Sequence, residues 1–312
     1  MAAGKGSLSC VGVGMMLGAH IGPRARATIE QADVVFGAVS DPLVELWLQQ
    51  MHGDVRSLQP YYAEGKSRHD TYREMIEAML AEVRAGRQVC GAFYGHPGVF
   101  ARVPHKAIAQ ARAEGFEAHM EPGVSAEDCL YADLGIDPGD VGCQHYEASQ
   151  FLFYRRRVDP SAYLVLWQVG VVGDRTVTRF NTGPAYRRLL VERLAEDYPA
   201  GHVVTLYEAA TVAIAAPRME QLPLSRLAEA DLRMQTTMVV PPAVALRRDE
   251  AMMEKIRRLD DGVQARVERA RTGEEDAASD DHVDTPRGDA AIPPHLPSCA
   301  AADRHAGDHS IA

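Results

Sequence analysis

Gln88-Val89-Cys90-Gly91-Ala92-Phe93-Tyr94-Gly95-His96-Pro97-Gly98-Val99-Phe100-Ala101 decides the reading of the fold. Residues 88–94 form a short apolar run, the pattern of a strand buried on both faces of a sheet. The run passes directly into a turn with two glycines and a proline. In an open α/β sheet such a turn lies at the carboxyl edge, where ligands bind. Gly95 and Gly98 leave backbone groups approachable, and Pro97 fixes the loop between flanking aromatics.

Working outward, residues 68–85 carry helical periodicity, with Gly86 placed to end the helix. Residues 8–13, 34–37 and 55–58 predict further strands, and residues 23–32 a helix. Downstream, residues 103–114 predict a helix and 116–120 a strand. Strand and helix alternate throughout, which favours an α/β domain with a largely parallel sheet. The second half opens at Glu121-Pro122-Gly123 and predicts helices at 125–134 and 184–195. Its strands are expected at 163–169, 202–208 and 238–240, the last stopped by Pro241-Pro242. Residues 247–271 predict a charged helix with Met252, Met253, Ile256, Leu259 and Val263 on one apolar face, suited to packing on the body or on a second copy. Residues 272–312, rich in acidic residues, alanine, proline and histidine, read as a disordered tail.

The 312 residues accommodate two modest domains. No run approaches the roughly 18 apolar residues of a membrane span. The first seven residues lack an apolar signal region, so a cytoplasmic enzyme is the expectation. The formal charge of -10 argues against nucleic acid as a partner, although much of the excess lies in the tail. Five scattered cysteines with no Cys-x-x-Cys pair fit a reducing compartment. His96, His105 and His145 form no helical pair with a carboxylate, so no metal is expected.

The strongest chemical signal is Pro60-Tyr61-Tyr62-Ala63-Glu64-Gly65-Lys66-Ser67-Arg68-His69-Asp70-Thr71-Tyr72. Ser67 or Asp70 is a candidate helix cap. Arg68 and Tyr72, four apart, share a helical face, and Tyr62 reaches them from the preceding loop. Two phenols and a guanidinium at a helix N-terminus can stabilise an anion or hold a phenol ionised below its ordinary pKa of about 10. Equally, Tyr72 can be the top of the core stripe formed by Met75, Ile76, Met79, Leu80 and Val83. The other segments are less specific. Gly12-x-Gly14-x-x-x-Gly18 departs from the dinucleotide fingerprint, with Leu17 at its third glycine position. Ser125, in Glu121-Pro122-Gly123-Val124-Ser125-Ala126-Glu127-Asp128, is either a ligand contact or an N-cap boxed with Asp128. Gln168 ends an apolar strand in Leu166-Trp167-Gln168-Val169-Gly170. Tyr207-Glu208-Ala209-Ala210 and Gln235-Thr236-Thr237-Met238 offer small residues that would admit a flat ring or simply pack.

Taken in this order, the segments resemble the tetrapyrrole (corrin/porphyrin) methylase superfamily across about residues 8–242. Tyr-Gly-His-Pro-Gly-Val-Phe, Pro-Gly-Val-Ser-Ala-Glu-Asp, Trp-Gln-Val-Gly and Tyr62-x5-Arg68-x3-Tyr72 look most like its borosin branch, peptide backbone α-N-methyltransferases. The resemblance implies a two-domain α/β fold with S-adenosyl-L-methionine in the cleft between the domains, and an interlocked homodimer. The division becomes an N-terminal domain at 8–120, a C-terminal domain at 121–242, a helical extension at 243–271 and the tail at 272–312. Carried over, the cofactor residues are Tyr94, His96, Val99, Ser125, Ala126, Gln168, Ala209, Thr236 and Thr237, and the catalytic residues are Tyr62, Arg68 and Tyr72.

The chemistry calls for such residues because an amide nitrogen delocalises its lone pair into the carbonyl. It must lose its proton before attacking a sulfonium methyl, which a phenolate at Tyr62 or Tyr72 would achieve, with Arg68 stabilising phenolate or imidate. In fused members of the branch the substrate is the protein's own apolar C-terminus. Here the tail has no Val or Ile runs, so a separate precursor peptide is expected. The alternatives are a C-methyltransferase acting on a tetrapyrrole, which leaves the Tyr/Arg cluster without a job, and a non-catalytic peptide-binding partner.

Overall fold

The computed structural model describes residues 6–39, 42–63 and 65–272; the tail beyond Thr272 lies outside them. The first half alternates β1 (Ser7–Gly12), α1 (Pro23–Gln31), β2 (Val34–Ala38), α2 (Pro42–Met51), β3 (Val55–Ser57), α3 (Arg68–Arg84), β4 (Gln88–Phe93), α4 (Arg102–Ala113) and β5 (Glu117–Glu121). The five strands form one parallel sheet in the order β3-β2-β4-β1-β5. β1 and β4 are apolar and inner, as strands covered on both faces must be. On one face Leu8, Cys10 and Phe36 pack against Met75, Met79 and Leu80 of α3 and Val103 and Ala107 of α4. On the other, Val11, Val35 and Cys90 meet Ala25 and Ile29 of α1 and Val44 and Leu48 of α2. Burial pushes the Cys10 and Cys90 thiols up, the latter to about 12, so both are inert core residues.

The chain leaves β1 toward β2 but leaves β4 toward β5, so the sheet's topological switch point lies between adjacent β1 and β4. Their carboxyl ends are stitched by a bridge from Gly14 to Gly95, with N–H···O distances of 3.2 and 2.9 Å.

The second half contains α5 (Ala126–Leu134), α6 (Pro138–Val141), β6 (Cys143–Glu147), α7 (Ala148–Phe153), β7 (Tyr163–Trp167), α8 (Pro184–Leu194), β8 (Val203–Glu208), β9 (Arg218–Pro223) and β10 (Thr237–Val240). Its sheet runs β6-β7-β10-β8-β9, with β6 parallel to β7 and the other pairs antiparallel. Phe151 of α7 and Leu190 and Leu194 of α8 cover one face; Leu130 of α5 covers the other, against Val165, Trp167, Tyr207 and Val239. One compact unit runs to Ala245 and holds both sheets; a second begins at Leu246 and holds α9 (Glu250–Thr272).

Most expected elements are present within a residue or two. The strand expected at 163–169 stops at Trp167, because Gln168 turns into the left-handed region at φ 59° and opens a 3-10 turn. Helices α2, α6 and α7 and edge strands β6 and β9 add to the expected set. No helix among the described residues is long and apolar enough to cross a membrane.

Candidate active site

The helix cap decides where the catalytic candidates stand. Ser67 accepts from the His69 N–H at 3.2 Å, which makes it, not Asp70, the cap of α3. Just upstream, residues 59–61 form a 3-10 turn. The Tyr61 carbonyl accepts from Lys66 Nζ at 2.9 Å and Thr71 Oγ1 at 3.2 Å. That lysine is therefore structural, and it fixes the backbone that presents Tyr62. Tyr62 and Tyr72 meet edge to face, ring centroids 6.5 Å apart and planes at 87°. The Tyr72 ring also packs on the core that includes Met75, Met79 and Leu80.

The contact between the two phenols favours the Tyr72 phenolate and disfavours that of Tyr62. Arg68 acts on Tyr62, Tyr72 and Tyr94 alike, drawing each phenol down. Burial is nevertheless the largest influence on all three, and it raises them. This corrects the expectation that Arg68 holds a phenol ionised: the guanidinium only offsets desolvation, and both phenols are protonated at neutral pH. As whole residues Tyr62 and Tyr94 remain 37% and 50% exposed.

Arg68 reaches across to the second half. Its Nη2 donates to the Arg179 carbonyl at 2.7 Å and contacts Met234 Sδ at 3.6 Å, while its backbone N–H donates to the Val177 carbonyl at 3.2 Å. No carboxylate among the described residues forms a salt bridge with it. Its charge is thus held by neutral acceptors and is not cancelled.

The cofactor candidates stand on several turns and strand ends. Tyr94 follows β4, anchored by its N–H on the Ala38 carbonyl at 3.1 Å. His96 Nδ1 accepts from Gly98 N at 2.8 Å, which leaves Nε2 as the protonated nitrogen of the neutral ring. Val99 closes that turn, and Phe100, at φ 50°, lays its ring 5.2 Å from Trp167. Trp167 is locked by a chain in which its indole N–H donates to His145 Nδ1 (3.2 Å), His145 Nε2 to Tyr131 Oη (2.8 Å) and Tyr131 to Glu127 (3.1 Å). Gln168 follows it, half-buried and with its amide bonded to no described residue. Ala126 and Ala209 pack beside Trp167 and Tyr207. Val169 N donates to the Thr236 carbonyl at 3.0 Å within the second half, while Leu17 N donates to the Thr211 carbonyl at 2.9 Å and ties the turn after β1 to the turn after β8. Thr237 is buried at the start of β10, opposite Tyr207.

Two of these side chains are engaged within the protein. Ser125 caps α5 in a reciprocal box with Asp128, and the buried Thr236 hydroxyl donates to Glu208 at 2.6 Å. Their backbone N–H groups are also taken, by Asp128 Oδ2 and the Arg233 carbonyl, which leaves only their carbonyl oxygens. Sequence reasoning missed Glu208, which is 9% exposed and also receives Arg218 at 2.8 Å and Arg233 at 3.2 Å. An acidic residue ending a strand carries no signal of that role. Among the described residues, no group of three or more His, Cys, Asp or Glu is arranged to hold a metal.

Comparison with known proteins places this geometry in context. The model of the Tetrapyrrole (Corrin/Porphyrin) Methylases family matches residues 7–231. A methyltransferase/ribosomally synthesized cyclic peptide gymnopeptides precursor from Gymnopus fusipes is 43% identical over 243 residues, 76% of this chain and 57% of the relative. A methyltransferase/type I borosin cyclic peptide precursor from Mycena rosella is 46% identical over 203 residues, 65% of this chain and 50% of the relative. The omphalotin A precursor from Omphalotus olearius is 41% identical over 261 residues, 82% of this chain and 61% of the relative. The chain therefore spans 50 to 61% of the length of these relatives. Among solved structures, cobalt precorrin-4 methyltransferase shares the fold at TM-score 0.54 and 16% identity, covering 75% of this chain and 94% of that one. The resemblance to the borosin branch is borne out by the names of these curated relatives.

Proposed function

Because the chain belongs to the tetrapyrrole (corrin/porphyrin) methylase family, we propose that it is an S-adenosylmethionine-dependent methyltransferase acting on backbone amides of a ribosomally made precursor peptide supplied as a separate chain. The observation that carries this reading is the pair of hydrogen-bonded phenols, partly exposed, beside a guanidinium with neutral partners. Tetrapyrrole C-methylation offers that cluster no task, whereas an amide proton requires one.

The candidate residues suit the cofactor. Alanines at 126, 209 and 210 are small enough to sit beside a flat purine. Gln168, held at φ 59°, presents an unpaired neutral amide, and the turns after β1 and β4 expose backbone groups at the switch point. When bound, S-adenosylmethionine supplies a methyl group made electrophilic by its sulfonium. Tyr94, His96, Val99, Ser125, Ala126, Gln168, Ala209, Thr236 and Thr237 would hold it, Ser125 and Thr236 through their carbonyl oxygens.

Tyr72 is the base in this reading. Tyr62 donates to its oxygen, so the proton leaves Tyr72 more readily than Tyr62. The Tyr72 oxygen takes the amide proton, and Arg68 stabilises the negative charge that passes from phenolate to imidate oxygen. A raised phenol pKa makes a scarcer but stronger base, which an acid as weak as a peptide N–H demands. The base acts deprotonated and burial lifts its pKa. The logarithm of kcat is therefore expected to climb with pH from neutrality to beyond about 10, and Tyr62→Phe, which removes the donor, to shift that limb to higher pH. A pH–rate profile of both proteins checks this.

The test is to incubate the full chain with S-adenosylmethionine and a synthetic peptide ending in a Val/Ile run, then fragment both by mass spectrometry. Methyl groups on backbone nitrogens of the peptide support the reading. Methyl groups confined to residues 273–312 place the substrate in cis, and transfer only to a tetrapyrrole replaces it.

A homodimer belongs to the same proposal. Met252, Ile256, Leu259, Val263 and Val267 form an exposed apolar stripe on α9. Ile256→Glu combined with Leu259→Glu is expected to lower the sedimentation coefficient from that of a dimer to that of a monomer.

A further inference from the structure

Between the 3-10 turn at 169–171 and α8 lies a loop folded around one carboxylate. Asp174 is 6% exposed. Its Oδ1 accepts from Thr176 N at 3.0 Å and Thr176 Oγ1 at 2.6 Å; its Oδ2 accepts from Thr178 N at 3.0 Å and Arg179 N at 2.9 Å. Burial works against the ionised form, but these donors outweigh it and lower the Asp174 pKa. With the amides of 176, 178 and 179 drawn inward, Val177 is pushed to φ 54°, a conformation that is costly for a β-branched residue. The far end of the loop is anchored by Thr182 Oγ1 on the Val172 carbonyl at 2.8 Å and by Asn181 Nδ2 on the Leu232 carbonyl at 2.8 Å. The carbonyls that this arrangement turns outward, those of Val177 and Arg179, are the two that accept from Arg68.

We propose that Asp174 is a positioning residue for the reaction, folding residues 174–179 into a bracket whose Val177 and Arg179 carbonyls hold Arg68 against Tyr72. The inference rests on the functional reading above. A carboxylate placed directly on Arg68 would cancel the positive field that the phenol and the imidate oxygen need. Asp174 acts at one remove: its charge is neutralised by loop amides, and Arg68 meets only neutral acceptors. The strained Val177 marks the device, since its backbone adopts that shape only while the carboxylate enforces it.

The first arm of the test needs no peptide. The Tyr72 phenol is titrated by ultraviolet difference spectroscopy in the full chain, with Tyr72→Phe as the blank. Arg68→Ala is expected to move the titration to higher pH, and Asp174→Asn to move it in the same direction. The double variant is expected to add nothing beyond Arg68→Ala, since the two act through one contact. Methyl transfer to the Val/Ile peptide is expected to fall about tenfold or more in kcat with Asp174→Asn, the scale of a lost charge-assisted hydrogen bond, at unchanged S-adenosylmethionine affinity. Val177→Gly, which relieves the strain, is expected to restore part of both in the Asp174→Asn background. Should Asp174→Asn fail to fold, Thr176→Val, which removes a single donor, is expected to give a smaller shift of the same sign. If Arg68→Ala shifts the titration and Asp174→Asn or Thr176→Val, folded, does not, the inference is overturned while the functional reading stands. If Arg68→Ala changes neither titration nor transfer, both fall.

Discussion

Tyr72→Phe is expected to lower methyl transfer by about 10²–10⁴-fold, the range for loss of a positioned general base, while leaving S-adenosylmethionine affinity unchanged. The substitution keeps the ring that packs on Met75, Met79 and Leu80, so folding is not at issue. It deletes the oxygen that accepts from Tyr62 and lies in the field of Arg68. Tyr62→Phe is expected to cost less, because the base survives with a higher pKa. Single-turnover transfer to the peptide at several pH values separates the two. A larger loss from Tyr62→Phe would reverse their roles.

The second large effect concerns backbone. Three glycines meet where β1, β4 and β5 end. A Cβ on Gly123 would overlap the Gly95 carbonyl oxygen and lie 2.7 Å from Gly12 Cα; one on Gly12 would lie 2.5 Å from the Gly95 oxygen. No side chain can swing aside, since every obstructing atom is main chain. Gly123→Ala must therefore pry apart the strand ends at the switch point. Overpacking costs about 1–3 kcal/mol or more. The displaced turns also carry Tyr94, His96 and Ser125, so cofactor affinity is expected to fall about tenfold or further. Gly53→Ala, with nothing within 4 Å of its added carbon, is the neutral control. Denaturant midpoints and calorimetry with S-adenosylmethionine read both quantities.

The central strands were legible because a parallel sheet buried on both faces writes itself as unbroken apolar runs closed by glycine, as at 8–13 and 88–94. Helix α3 was legible from its cap and its periodic Met75, Met79, Leu80 and Val83. Edge strands β6 and β9 were not: Cys-Gln-His-Tyr-Glu is half-buried throughout, and Arg-Met-Glu-Gln-Leu-Pro is mostly exposed, so neither alternates cleanly. Helix α2 follows Asp41-Pro42, a start signal that went unread. In the site, spacing grouped Tyr62, Arg68 and Tyr72 but left open which phenol is the base. Asp174 and Glu208 left no trace, because a carboxylate folded onto loop amides or a buried threonine looks in sequence like any acid near a turn.

The strand order has a consequence for how the protein is made. β1 is synthesised first, yet its partners are β4, ending at Phe93, and β5, ending at Glu121. Through more than a hundred residues of translation, Leu8, Cys10 and Val11 have no complete sheet to join, and the emerging chain carries an apolar segment with both edges open. Slower elongation or a chaperone that shelters the nascent N-terminus is therefore expected to raise the soluble yield more than any change to the finished surface.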